Sequence, residues 1–238
     1  MQKAYKEQKE HLEQKEHKGH KQYKAVIFDM DGTLVDTERM LLNIWESTAK
    51  EMGYVFSLDV MKKTIGITLA DTIRVMLEEY PDAPHDEIRA LMSERFRKIR
   101  ESGQIALRPG AQEALEGVSK SGLKIGLCTS TRSSSAKITL KATGIHHYFD
   151  AVAFGDEVTR GKPDPEPYLL VASRLGADPG DCLAVEDSPS GARSALSAGM
   201  SVAYVPDIIP PPEEITDKIT VLESIVQVIS LICRESRQ

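Results

Sequence analysis

Ala25-Val26-Ile27-Phe28-Asp29-Met30-Asp31-Gly32-Thr33-Leu34-Val35-Asp36 is the stretch whose reading decides the fold. Four apolar residues stand between Lys24 and an Asp-x-Asp-Gly turn, the pattern of a short buried strand that ends abruptly. Asp29 and Asp31 therefore leave the end of a strand together. In an open parallel sheet, ligands bind outside the carboxyl ends of the strands, so both acids would stand at the mouth of a pocket. Asp-Gly is also an ordinary turn dipeptide, and the pair acquires chemical meaning only if partners meet it there.

Working outward, the sequence after this strand is helical. Thr37 to Met52, Leu58 to Lys63, Leu69 to Glu79 and Asp86 to Glu101 carry apolar residues at three- and four-residue spacing. Breaks fall at Gly53, Gly66, Pro81 to Pro84 and Ser102-Gly103. From Pro109 the pattern changes. Helices over 110–120, 134–142, 166–175 and 189–198 alternate with strands Leu123 to Cys128, Ala151 to Phe154, Cys182 to Val185 and Ser201 to Val205. A last amphipathic helix is expected from Glu223 to Arg234.

Alternating strands and helices predict an α/β fold: a Rossmann-like parallel sheet with helices on both faces and right-handed crossovers. The first strand must join this sheet, since a lone buried strand cannot satisfy its backbone. The expected organisation is a core of residues 23–37 and 105–238, with an all-helical unit of residues 38–104 inserted after the first strand. Placed directly after the two aspartates, that unit reads as a lid. Residues 1–22 are Lys, Glu, Gln and His with almost nothing apolar, a charged tail expected to be disordered. His11, His17 and His20 in that tail lack the fixed scaffold that a metal site needs.

Composition narrows the function. The chain has 238 residues and a net charge of −6, without the clustered positive charge that a nucleic-acid backbone requires. No apolar run approaches the length of a membrane span, and no signal-peptide core is present. Cys128, Cys182 and Cys233 are odd in number and widely spaced, which fits neither a disulfide framework nor a zinc motif. A reducing cytoplasm with three small core thiols is the expectation.

Further polar clusters also sit where strands end: Thr129-Ser130-Thr131, Gly161-Lys162-Pro163-Asp164 and Glu186-Asp187-Ser188. Each has a structural alternative. Ser133 or Ser134 could cap the following helix, Ser188 with Pro189 makes a good cap and first-turn pair, and Lys162 could be an exposed loop cation. Together they imply more. Asp29, Asp31, Glu186 and Asp187 would place four carboxylates at one sheet edge, a group that calls for a cation between them. Oxygen ligands without His or Cys select Mg²⁺, shared with a substrate phosphate. Lys162 and the hydroxyls would serve an anion. A carboxylate nucleophile, a second carboxylate, a divalent cation, a lysine and a hydroxyl are the parts of phosphoryl transfer.

In this order and on this strand-helix pattern, the four clusters resemble the motifs of the haloacid dehalogenase superfamily. The helical insertion resembles the cap of its beta-phosphoglucomutase-like branch. The resemblance runs from about Tyr23 to the end. It implies that Asp29 is the nucleophile, forming an aspartyl phosphate, and that Asp31 is the general acid and then the base for water. It further implies that Thr129 holds the transferring phosphoryl group, with Ser130 beside it, and that Lys162 neutralises charge between that group and Asp29. Mg²⁺ would be held by Asp29, the Asp31 carbonyl and Asp187, with Glu186 a direct or water-mediated ligand.

A mutase of this branch needs cations on the cap loop to grip the phosphate that stays. If Gly66 is the substrate-contacting glycine of that loop, the cationic places beside it hold Ile65 and Leu69. Leu41 stands about where those mutases carry a histidine. Arg132 is the basic residue left to touch a distal anion. The resemblance therefore implies a Mg²⁺-dependent phosphatase of small phosphorylated metabolites, sugar or polyol phosphates, with a phosphosugar mutase as the alternative. A non-catalytic binding protein on the same fold is the third reading, against which the intact acids, Lys162 and Thr129 stand.

Overall fold

A computed structural model describes residues 23–64 and 69–233, with the backbone alone at 62 and 69–71. The charged tail 1–22 and Gly66, with Ile65, lie outside the described residues. Strands β1 (Ala25–Phe28), β2 (Lys124–Cys128), β3 (Ala151–Ala153), β4 (Cys182–Glu186), β5 (Ser201–Tyr204) and β6 (Thr220–Val221) form one sheet in the order β3-β2-β1-β4-β5-β6. Every pairing is parallel. β1 lies between β2 and β4, so the strand order reverses beside it. That reversal opens a crevice at the carboxyl end of β1, where Asp29 begins the turn.

Both faces of β1 are buried, which explains its unbroken apolar run. Val26 and Phe28 pack against α5 (Ala111–Lys120), α6 (Ser133–Ala142) and α9 (Gln227–Cys233). Ala25 and Ile27 pack on the opposite face against α7 (Glu166–Leu175) and α8 (Pro189–Ser197). The strand β6 was not expected. It has two residues, both exposed, and so carries no apolar alternation that a sequence could display.

Between β1 and β2 come α1 (Thr37–Glu51), α2 (Leu58–Lys62), α3 (Leu69–Glu79) and α4 (His85–Glu101). Their inward residues, among them Ile44, Val60, Met76, Met92 and Phe96, make with Phe56 of the first connection an apolar cluster separate from the two on the sheet faces. The chain leaves and re-enters the core through a paired junction. Val35 and Leu107 form an antiparallel bridge, Asp36 N–H donates to the Ala106 carbonyl and Arg108 N–H to that of Leu34. Arg39 and Arg108 both reach one oxygen of Asp207, beyond β5.

Three local expectations are corrected. Neither Ser133 nor Ser134 caps α6. The cap position is Arg132, and Asp156 accepts from the Ser133 N–H at 2.7 Å and its hydroxyl at 2.8 Å. The last helix begins at Gln227 rather than Glu223, because the Gln227 side chain accepts from the N–H groups of Glu223 and Ser224. Cys128 and Cys182 are buried, but Cys233 is exposed, and among the described residues none of the three is in a disulfide. Ser188 caps α8 as expected, accepting from Gly191 N–H with Pro189 behind it.

Candidate active site

Asp29 follows directly on β1, its N–H bonded to the Val185 carbonyl of β4, so the sheet ladder itself fixes its backbone. The Lys162 ammonium reaches it from the loop before α7. Lys162 Nζ donates to Asp29 Oδ1 at 2.5 Å, to Glu186 Oε1 at 2.7 Å and to the Cys128 carbonyl at 3.0 Å. Three donors meet three acceptors, and the ammonium is fully used. Burial acts to lower the Lys162 pKa, but Asp29 and Glu186 outweigh it and hold it well above the usual lysine range.

Glu186, at the tip of β4, is wholly buried. Its Oε1 also accepts from the Tyr168 hydroxyl at 2.7 Å, and its Oε2 from Ser188 Oγ at 3.1 Å. A Cβ on Gly191 would lie 1.8 Å from Glu186 Oε1, so only glycine in the first turn of α8 leaves room for this carboxylate. Glu186 therefore orients the lysine as much as it faces any cation.

Asp31 occupies the first turn after β1, held by hydroxyls. Thr37 Oγ1 donates to its Oδ1 at 2.7 Å; Thr131 Oγ1 and Thr129 Oγ1 donate to its Oδ2 at 2.7 and 3.3 Å. Thr131, one of the hydroxyls expected to serve an anion, here holds the second carboxylate. Asp187 receives Thr33 Oγ1 on Oδ1 at 2.7 Å, while its Oδ2 is buried without a partner. Glu38, in the first turn of α1, is the acid that the sequence reading missed. It is 9% exposed, and its Oε2 is likewise buried and unpartnered. Gly32, at φ +83°, brings the two together: a Cβ there would meet Asp187 Oδ2 at 2.2 Å and Glu38 Cδ at 3.0 Å.

Carboxylate oxygens of Asp29, Glu186 and Asp187 lie within 4.8 Å of one another. Burial pushes Asp29 up to about 8 against the pull of Lys162, and pushes Glu38 up to about 9. Asp187 is raised as well, by burial and then by the Glu38 charge. Acids packed in this way favour a proton or a cation among them.

The site opens into a cavity of about 610 Å³ between the sheet edge and the helical unit. Ser130 and Thr129 line it from below; Leu41, Trp45, Met92 and Phe96 line it from above, with Arg89 and Arg100. Arg132 is exposed and stands outside that lining, so the structure does not bring it to the pocket.

Residues 26–205 match the haloacid dehalogenase-like hydrolase family. The chain belongs to the haloacid dehalogenase-like hydrolases. This haloacid dehalogenase-like chain is 35% identical over 190 residues to the phosphorylated carbohydrates phosphatase of Thermotoga maritima, covering 76% of this chain and 84% of that protein. To the beta-phosphoglucomutase of Bacillus subtilis it is 30% identical over 184 residues, covering 74% and 80%. The crystal structure of CbbY from Rhodobacter sphaeroides in complex with phosphate superposes with a TM-score of 0.73 at 27% identity, covering 87% of this chain and 96% of that one. Family membership makes the chain a hydrolase, and the names of its relatives support a phosphoric monoester hydrolase within it. Among the described residues no helix is long and apolar enough to cross a membrane.

Proposed function

We propose that this haloacid dehalogenase-like hydrolase releases phosphate from small phosphorylated metabolites through an aspartyl phosphate on Asp29. The observation that carries the reading is the contact of Lys162 Nζ with Asp29 Oδ1 beside a separately held second carboxylate, Asp31. Asp29 attacks phosphorus as the bond to the ester oxygen breaks, and the proton on Asp31 passes to the departing alkoxide. Water then attacks the phosphoenzyme, gives its proton back to Asp31, and the bond between Asp29 and phosphorus breaks. The three threonine hydroxyls keep Asp31 aimed at the leaving oxygen, while Lys162 screens Asp29 against the incoming phosphate.

The donor set suits Mg²⁺. It is all oxygen, strongly acidic, and includes two buried oxygens without partners, on Glu38 and Asp187. Asp29 and Asp187 would hold the ion, with Glu38 placed to neutralise it or bind one of its waters. Once bound, it would supply the positive charge that lets an anionic nucleophile meet an anionic phosphate. The helices α1–α4 would act as a cap that excludes bulk water from the cavity. If Gly66 is the substrate-contacting glycine of the cap loop, the two places beside it that a mutase would fill with cations hold Ile65 and Leu69 in the sequence, which favours hydrolysis over transfer within one sugar.

A phosphate-release screen over sugar, polyol and short acidic phosphate esters with Mg²⁺ tests this. Release with at least one class is expected, and Asp29→Asn should lower it by about a thousandfold or more. Conversion of β-glucose 1-phosphate to glucose 6-phosphate without net phosphate release would overturn the reading in favour of a mutase.

A further inference from the structure

Among the described residues three cations line the cavity: Lys162, Arg89 and Arg100. Lys162 spends all its donors within the site. Arg89 is bound to Asp86 at 2.8 Å and is exposed. Arg100, in the last turn of α4, differs from both. Among the described residues it makes no ion pair and no hydrogen bond, and its Nε is buried without a partner. Its Cζ lies 4.0 Å over the Phe96 ring, which fixes the guanidinium plane from one side and leaves its donors directed elsewhere. A half-buried guanidinium with idle donors is costly to keep, and that cost is recovered when an anion pairs with it.

The neighbourhood indicates where such an anion would sit. Arg100 shares the cavity wall with Asp31, and the Asp31 charge is felt at the guanidinium. Asp31 faces the leaving alcohol in the mechanism above. The group facing Arg100 is therefore carried by that alcohol, a few bonds from the ester oxygen. Trp45, Leu42 and Met92 on the surrounding wall exclude water and strengthen a charged contact.

We propose that Arg100 binds a second anionic group of the substrate, a carboxylate or a second phosphate, so that the preferred substrates are short phosphate esters carrying two anions. This rests on the hydrolase reading for the orientation of the ester. A guanidinium paired with carboxylate or phosphate makes charge-assisted, often bidentate hydrogen bonds, which sets the expected effect at about 10- to 100-fold in affinity.

Calorimetric binding to the Asp29→Asn protein with Mg²⁺ tests it without turnover. The ligands are 2-phosphoglycolate, ethane-1,2-diyl bisphosphate and the neutral counterpart 2-hydroxyethyl phosphate. At least one dianionic ligand should bind about tenfold or more tighter than the neutral one, and the one selected identifies the anion as carboxylate or phosphate. Adding Arg100→Met should bring that ratio near one, and Arg100→Lys should restore part of it. Arg100→Gln gives the same comparison should the Met variant melt early. No preference for either dianion, or an equal loss for all three ligands in Arg100→Met, would overturn the proposal; the latter would make Arg100 a positioning partner of Asp31. Failure of wild-type protein to release phosphate from any ester would instead remove the hydrolase reading and leave the binding ratios standing.

Discussion

Lys162 Nζ and Tyr168 Oη both donate to the same oxygen of Glu186, each at 2.7 Å, and all three side chains are buried. One carboxylate oxygen therefore serves two donors, and the lysine that contacts Asp29 is aimed from behind.

Removing the lysine should damage fold and chemistry together. Lys162→Met leaves Asp29 and Glu186 buried without their cation, a loss of about 3–5 kcal/mol for a broken buried pair. Urea melts should show that destabilisation. Tyr168→Phe removes one hydrogen bond to a charged group, about 1.5–3 kcal/mol, and should cost less than tenfold in kcat/KM because Lys162 keeps all three of its acceptors. Equal losses of turnover in the two variants would show that the lysine has no separate role.

Gly191→Ala should destabilise although it lies in a helix. Alanine gains about 1 kcal/mol of helix propensity over glycine. Against this, its Cβ would enter the space of the Glu186 carboxylate, at 2.0 Å from Cδ, and that carboxylate is pinned by Lys162, Tyr168 and Ser188. A net loss of about 1–3 kcal/mol is expected by chemical denaturation. A stabilised variant would show that Glu186 is freely movable.

The acid cluster sets a pH dependence in metal-free protein. Asp29, Glu38 and Asp187 titrate higher in the folded chain than unfolded, where carboxyls lose their protons near pH 4. Between about pH 4 and 9 the folded state thus holds more protons, and stability falls as pH rises through that window. With millimolar Mg²⁺ the fall should flatten, since an ion that binds the ionised acids stabilises most where protons have left. Melting temperatures from pH 5 to 9, with and without Mg²⁺, check this; parallel curves would remove the ion from the cluster. Glu38→Gln should flatten the metal-free curve in part.

Asp207 ties both crossings of the helical unit to the core through Arg39 and Arg108. Asp207→Asn should speed hydrogen exchange at the Asp36 and Arg108 amides about tenfold, since their bonds to Ala106 and Leu34 close the same junction. Exchange unchanged there would mean that the backbone pairing alone holds the crossing.

What was legible in the sequence was what neighbouring residues settle among themselves. Ala25 to Phe28 are apolar because both faces of β1 are covered, and the acids, threonine and lysine stand where strands stop, so order along the chain already placed them at one edge of a parallel sheet. Glu38, Tyr168 and Arg100 could not be found in that way. A glutamate in a first helical turn or an arginine in a last one is what most helices carry anyway. Whether such a residue faces solvent or a nucleophile depends on the rotation of α1 and α4 over the sheet, set by the Val35 to Leu107 junction and by contacts far apart in the chain. The same holds for Glu186: its type and place were readable, but its commitment to Lys162 depends on a gap of ångström size beside Gly191, and a gap of that kind exists only after packing.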